Sequence, residues 1–166
     1  FDKVIISHAE DLALKNDGLM NEGLQSTVLG LRPIARASEL AAVQRDIALA
    51  QTLGLRVHIA HVSTAEAVQA ISDAKACGVL VTAETAPHYL FGTDELCQTF
   101  DGNAKVSPPL RTESDRLAMI QGLKSGALDC IATDHAPHHL DEKRCEFALA
   151  ANGISGLDTA LAICYT

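Results

Sequence analysis

Short β-rich runs alternate with helical stretches four times in this chain, and that alternation limits what it can fold into. Val4-Ile5-Ile6 is a brief apolar run ending at Ser7-His8. The second run is Arg56 to Val62, the third Val79 to Thr85 and the fourth Leu128 to Asp134. Between the first two, residues from about Gly23 to Gly54 read as helix, with Pro33 starting or interrupting it. Leu40, Val43, Ile47 and Leu49-Ala50 recur there at near-helical spacing, and Gly54 ends the stretch. After the second run, Ser63 or Thr64 caps a helix that has Glu66 in its first turn, carries Val68, Ile71 and Ala74, and closes at Gly78. After the third come a loop with a short helix (Thr93 to Gln98), the segment Lys105 to Arg111, and a helix from Ser114 to Lys124. Leu117, Ile120 and Leu123 share one face of that helix, which ends at Gly126. After the fourth run a polar loop extends to about Ser155, and a last helix covers Gly156 to Cys164. Strand-then-helix units repeated in this way predict an α/β fold with a parallel sheet and covering helices.

Composition excludes several classes of function. The chain has 166 residues, of which 48% are hydrophobic, enough for a sizeable core and too apolar for disorder. Its 13 Lys and Arg against 21 Asp and Glu leave a net charge of −8, which argues against nucleic acid as a partner. No apolar run approaches the ~20 residues of a membrane span, so no membrane partner is expected. No charged and apolar leader pattern follows Phe1, and the missing initiator Met suggests a processed chain, a fragment or a partial record. The five cysteines (Cys77, Cys97, Cys130, Cys145 and Cys164) form no C-x-x-C pair. They read as reduced thiols of a cytoplasmic protein and speak against a zinc site built on cysteine.

Ionisable residues gather where the β-rich runs end. His8 ends the first, with Glu10-Asp11 after it, and His61 ends the second. Glu84 and His88 lie at the end of the third, and Asp134, His135 and His138 at the end of the fourth. In a (β/α) barrel these positions form the active site. A single histidine so placed reads as structural; four units repeating the arrangement read as a site. His, His and Asp without thiolate suit zinc, which lowers the pKa of bound water and polarises a carbonyl. A carboxylate beside the metal can take the proton from that water and return it to a leaving nitrogen. Asp134 is the candidate, as the last residue of its strand; the plain alternative is that it caps the turn that follows.

Five motifs occur in order: His8-Ala9-Glu10-Asp11, His58-Ile59-Ala60-His61-Val62-Ser63-Thr64, Glu84-Thr85-Ala86-Pro87-His88, Lys105-Val106-Ser107-Pro108-Pro109-Leu110-Arg111, and Ile131-Ala132-Thr133-Asp134-His135-Ala136-Pro137-His138. Together they resemble the dihydroorotase family, class I type, of the amidohydrolase superfamily. The resemblance covers essentially the whole chain. It implies a (β/α)₈ TIM barrel with a metal centre, usually of one or two zinc ions. The activity implied is reversible hydrolysis of dihydroorotate to N-carbamoyl-aspartate in pyrimidine synthesis. It further implies that His8 and His61 are the two imidazole ligands of a second metal, and that Asp134 is the ligand of the first metal and the general acid/base. His138 corresponds to the side chain that meets the substrate carboxylate. The Lys105-to-Arg111 loop, with Ser107, corresponds to a backbone contact with the ring, and Ala151-Asn152-Gly153 to a second. Arg111 and His138 would add local positive charge for an anionic substrate. His88 follows the family's Pro-His pattern and reads as structural or as supporting a ligand. His58, three residues before His61 in one strand, points to the opposite face and reads as packing. His135 and His139 read as loop surface.

The chain departs from the family in two places: Ser107 stands where Asn is usual, as in hydantoinases, and Ala151-Asn152-Gly153 where Pro-Phe-Gly is frequent. It also lacks the family's early His-x-His strand, the Arg that follows it, and the bridging carboxylate or carboxylated Lys. A (β/α)₈ barrel needs ~250 residues. Residues 1–166 are therefore expected to be the C-terminal half of a barrel, strands five to eight, with its outer two strands as open edges. Such a half is expected to bind metal weakly, to lack hydrolase activity alone, and to pair with the missing half or with a second copy. A hydantoinase-like or allantoinase-like enzyme is the alternative. A further one is a non-catalytic homologue supporting aspartate transcarbamoylase.

Overall fold

A computed structural model describes residues 3–165. The chain runs β1 (Val4–Ser7), α1 (Leu12–Lys15), β2 (Met20–Asn21), α2 (Leu24–Leu29), β3 (Pro33–Ile34), α3 (Ala37–Leu53), β4 (Arg56–Ile59) and α4 (Ala65–Ala76). It continues with β5 (Val81–Thr85), α5 (Pro87–Phe91), two 3₁₀ turns (Asp94–Thr99 and Gly102–Ala104), α6 (Glu113–Ser125), β6 (Cys130–Ile131), α7 (Leu140–Lys143) and α8 (Leu157–Tyr165). Strands β1, β4, β5 and β6 form one sheet in that order, every pairing parallel. Each neighbouring pair is joined by a connection containing helices, which is the architecture of part of a (β/α)₈ barrel. A small second sheet pairs β2 with β3.

Register decides which side of the sheet is dry. Ile5 pairs with Val57, and Val57 with Val81; Ile59 pairs with Ala83. Val57, Ile59, Val81 and Ala83 belong to the core with Ala42, Val43 and Ala50 of α3, Val68, Ile71 and Ala74 of α4, and Met119 of α6. Because strand side chains alternate, Ile6, His58, Thr82, Glu84 and Cys130 stand on the other face. That face is open: Ile6 is 72% exposed, whereas Ile59 on the helix-covered face is 1% exposed.

Helix α4 follows the sequence expectation. Thr64 caps it, and Ala67, Val68, Ile71 and Ala74 form its buried stripe. Elsewhere the structure corrects the reading. The stretch from Gly23 to Gly54 is not one helix: Gly30 ends α2 in a left-handed turn, and Pro33, lacking an amide hydrogen, begins β3. Strand β4 stops at Ile59 and β6 at Ile131, so neither His61 nor Asp134 is a strand residue. On α6 the buried residues are Asp115, Met119 and Gly122, while Leu117 is exposed. Helices α5 and α7 leave no clear sequence pattern because four or five residues show too little periodicity.

A carboxylate ties three helix starts together. Asp115, fully buried in α6, accepts from Arg36 Nη1 at 2.5 Å and Nη2 at 2.6 Å, from the Ala65 amide at 2.9 Å, and from Thr112 Oγ1 at 2.6 Å. Arg36 precedes α3 and Ala65 opens α4. Burial alone would raise the Asp115 carboxyl, but these bonds and the Arg36 charge outweigh it and hold it below its ordinary value of 3.8.

Removing one partner of a buried pair strands the other, so Asp115→Ala is expected to cost about 3 kcal/mol in urea unfolding at neutral pH. A carboxyl with a depressed folded pKa stabilises above its unfolded pKa. The difference between variant and parent should therefore shrink as pH falls below about 3.8. A change within about 0.5 kcal/mol at neutral pH, typical of surface substitutions, would contradict this account.

Candidate metal centre

Two imidazoles converge beyond the strand ends. His8, just past β1, and His61, two residues past β4, bring Nδ1 and Nε2 to 2.8 Å, with their rings edge to face. His61 reaches this position because its backbone is left-handed, with φ 38°, which breaks the strand alternation. Asp134 is also left-handed, with φ 44°. Such backbone is costly for a residue with a side chain, ~1–3 kcal/mol, and persists only where the surroundings over-determine it.

The surroundings of His61 are a buried polar lock. Glu39 of α3 accepts from the Ser63 amide at 3.0 Å, the Thr64 amide at 2.9 Å and the Thr64 hydroxyl at 2.9 Å, and from the Ser63 hydroxyl as well. Arg111, 2% exposed, lies against the same group. Its Nε donates to Ser63 Oγ at 3.1 Å, its Nη1 to Asn21 Oδ1 at 3.1 Å, and its Nη2 stands 3.7 Å from Glu39. Arg111 is therefore not brought to the cluster: its guanidinium is enclosed within the fold.

His8 is aimed by a second buried carboxylate. Its Nε2 faces Glu10 Oε2 at 3.3 Å, and the same oxygen accepts from Lys15 Nζ at 2.6 Å. Lys15 Nζ also donates to Ser107 Oγ at 2.6 Å, so Ser107 joins the network around His8. Burial pushes the Glu10 carboxyl up, but the bonds from His8 and Lys15 and the Lys15 charge prevail and hold it at about 2. Sequence reasoning missed both roles. The signal for Glu10 is its place two residues after a ligand-type histidine, and Lys15 leaves none.

Asp134 sits among histidines. His88 Nε2 lies 3.9 Å from its Oδ2. Burial lowers the His88 pKa to about 4 despite the Asp134 charge. Burial also lowers that of His61, with the proximity of His8 adding to the effect and Asp134 opposing it. Both rings are thus held neutral, with lone pairs available. Among the described residues, His61 Nδ1 and both His88 nitrogens are buried without a hydrogen-bond partner. Two converging imidazole nitrogens beside orphaned ring nitrogens suit a borderline divalent cation such as zinc, but Asp134 is not brought within 4.8 Å of both His8 and His61, so the three do not form one closed donor set.

The remaining predicted residues lie on the loop after β6. His138 Nε2 meets the Asn152 carbonyl at 2.9 Å, and Gly153 packs under it. The Ala151 amide donates to the Glu142 carbonyl at 3.1 Å and the Gly153 amide to the Lys105 carbonyl at 2.9 Å. Their carbonyls both accept from Lys143 Nζ at 2.8 Å. Ala151 and Gly153 thus already use their backbone groups within the chain. His58 is half-buried on the open sheet face and bonds to Thr82 and Glu84. His135 and His139 are exposed. A largely apolar cavity of about 1180 Å³ between α5, α6 and α8 reaches this chemistry through His88.

Residues 1–67 match a family described as dihydro-orotase-like. Over all 166 residues the chain is 54% identical to the dihydroorotase of Ruminiclostridium cellulolyticum and 55% identical to that of Acetivibrio thermocellus, covering 39% of each. It therefore spans about two fifths of the length of the curated relatives it matches. Among solved structures, the L-hydantoinase (dihydropyrimidinase) of Arthrobacter aurescens superposes with a TM-score of 0.84 at 28% identity. The dihydropyrimidinase of Brevibacillus agri superposes with a TM-score of 0.83 at 25% identity. Each superposition covers 99% of this chain and 38% of the other.

Gly153 holds φ 148°, and a Cβ there would lie 2.6 Å from the Ala136 carbonyl oxygen and 3.0 Å from the His138 ring. Gly153→Ala is therefore expected to destabilise the chain by ~1–3 kcal/mol and to shift the imidazole resonances of His138. Unchanged stability and unchanged His138 resonances would show that the loop does not hold this conformation in solution.

Proposed function

We propose that this chain, dihydroorotase-like in sequence and fold, carries part of the metal centre of a cyclic amidohydrolase whose substrate is dihydroorotate. The observation that carries the reading is the approach of His8 Nδ1 to His61 Nε2, 2.8 Å apart on neighbouring strand ends, with the Asp134 charge acting on His61. The 54–57% identity to dihydroorotases over nearly the whole chain favours this substrate over hydantoin.

One zinc would be held by His8 Nδ1 and His61 Nε2 and a neighbouring one by the Asp134 carboxylate, and when bound they would supply a polarised carbonyl and an activated water. Asp134 Oδ2 accepts the proton of the attacking water and delivers it to the amide nitrogen as the ring C–N bond breaks. Glu10 holds the His8 ring at Nε2 and leaves Nδ1 as the nitrogen that would bind a cation. The substrate carboxylate is assigned to His138, whose ring is partly exposed, with Nε2 on the Asn152 carbonyl and Nδ1 3.6 Å from Glu142 Oε2. Ser107 supports the Lys15–Glu10 pair, and Arg111 acts through the fold.

In this reading residues 1–166 are the C-terminal half of a barrel and are inactive alone. The decisive experiment follows hydrolysis of dihydroorotate by the purified chain, alone and mixed with the complementary part of the Acetivibrio thermocellus dihydroorotase. Activity is expected only in the mixture. Turnover by the chain alone would overturn the half-barrel reading, and hydrolysis of hydantoin without dihydroorotate would overturn the substrate.

In the active mixture Asp134→Asn, which tolerates left-handed backbone, is expected to lower kcat by ~10²–10⁴-fold. Glu10→Gln is expected to weaken zinc binding by ~10–100-fold, read by chelator competition. An unchanged zinc affinity would remove Glu10 from its orienting role.

A further inference from the structure

The sheet carries a second donor cluster, on its open face rather than at its ends. His58 of β4, Glu84 of β5 and Cys130 of β6 each offer one ligand atom, all within 4.8 Å of one another. His58 Nε2 is 3.1 Å from Glu84 Oε2, and Cys130 Sγ is 3.9 Å from the same oxygen. The parallel ladder sets this geometry, since Glu84 pairs directly with Cys130 and His58 with Thr82. Thr82 Oγ1 lies 2.8 Å from His58 Nδ1, which fixes the ring and turns Nε2 toward the other two donors.

We propose that His58, Glu84 and Cys130 form a second divalent-metal site, selective for zinc or a similar borderline cation and separate from the His8–His61–Asp134 cluster. Imidazole, carboxylate and thiolate from three neighbouring strands supply three of the four donors that such a cation takes, on the sheet face that becomes the barrel interior in the proposed intact fold. Proton movements balance. Without a cation, His58 Nε2–H donates to Glu84 and the Thr82 hydroxyl donates to Nδ1. When a cation takes Nε2, the ring proton moves to Nδ1, and the Thr82 hydroxyl rotates to accept it. Cys130 releases its thiol proton to solvent as the metal–sulfur bond forms. Sequence spacing conceals this site because the donors are 26 and 46 residues apart and no second cysteine lies near Cys130.

Cobalt(II) tests the assignment, because the strand-end cluster contains no sulfur and only a cysteine-bearing site shows thiolate-to-cobalt charge transfer. Titration of the 166-residue chain is expected to give that absorption band, with one thiolate-bound cobalt per chain at saturation. The band should vanish in Cys130→Ser and persist in His61→Asn and Asp134→Asn, which separates this site from the proposed hydrolytic centre. No band in the parent chain, or an undiminished band in Cys130→Ser, would overturn the proposal. A measurement on the parent chain alone guards against misfolding of variants: zinc should slow alkylation of Cys130 severalfold while leaving the exposed thiols of Cys77 and Cys145 unaffected. Equal rates at Cys130 with and without zinc would likewise overturn it.

Discussion

The buried carboxylate of Asp115 is the contact on which the rest of this architecture depends. It is fully excluded from solvent, yet it accepts from Arg36 ahead of α3, from the first amide of α4 and from Thr112 ahead of α6. Helix starts expose unpaired amides, and a single anion satisfies several of them while the Arg36 guanidinium balances its charge. Glu39 repeats the device one layer away. It gathers the amides and hydroxyls of Ser63 and Thr64, with Arg111 closing the network. These anions are structural, but they stand directly behind the turn that presents His61.

That support explains how the chain sustains unfavourable features at one place. His61 and Asp134 have left-handed backbone, and His61 Nδ1 and both His88 nitrogens are buried with unmet hydrogen-bonding capacity. Each feature opposes folding by itself. They occur together where the connections after β1, β4, β5 and β6 meet, held by anions on the helix side and by the Glu10–Lys15–Ser107 network near His8.

Likeness of fold and likeness of sequence point to different depths of kinship. The hydantoinase structures share the backbone closely at 25–28% identity, whereas the dihydroorotases share more than half of the residues. Ser107, which departs toward the hydantoinase pattern, proves to be a partner of Lys15 rather than an isolated specificity residue. The positive charge tied to His8 through Glu10 is therefore Lys15 of α1, not Arg111.

Much of the fold was legible in order and type: four β-rich runs, the capped helix at Thr64, and polar residues gathered at the strand ends. Those features are local, because side-chain alternation, capping and glycine stops act within a few residues. The motifs around His8, His61 and Asp134 were legible for the same reason. What the sequence could not decide was long-range direction. Arg111 reads as a substrate-facing cation but turns inward, because Glu39, Ser63 and Asn21 form a buried acceptor set around it. His58 reads as packing but meets Glu84 and Cys130, because the parallel register brings residues far apart in the chain onto one face. Composition and pattern determined which elements form and where their polar ends lie. Tertiary structure alone chose the partners, since strand register and helix docking, not spacing along the chain, set which donors meet.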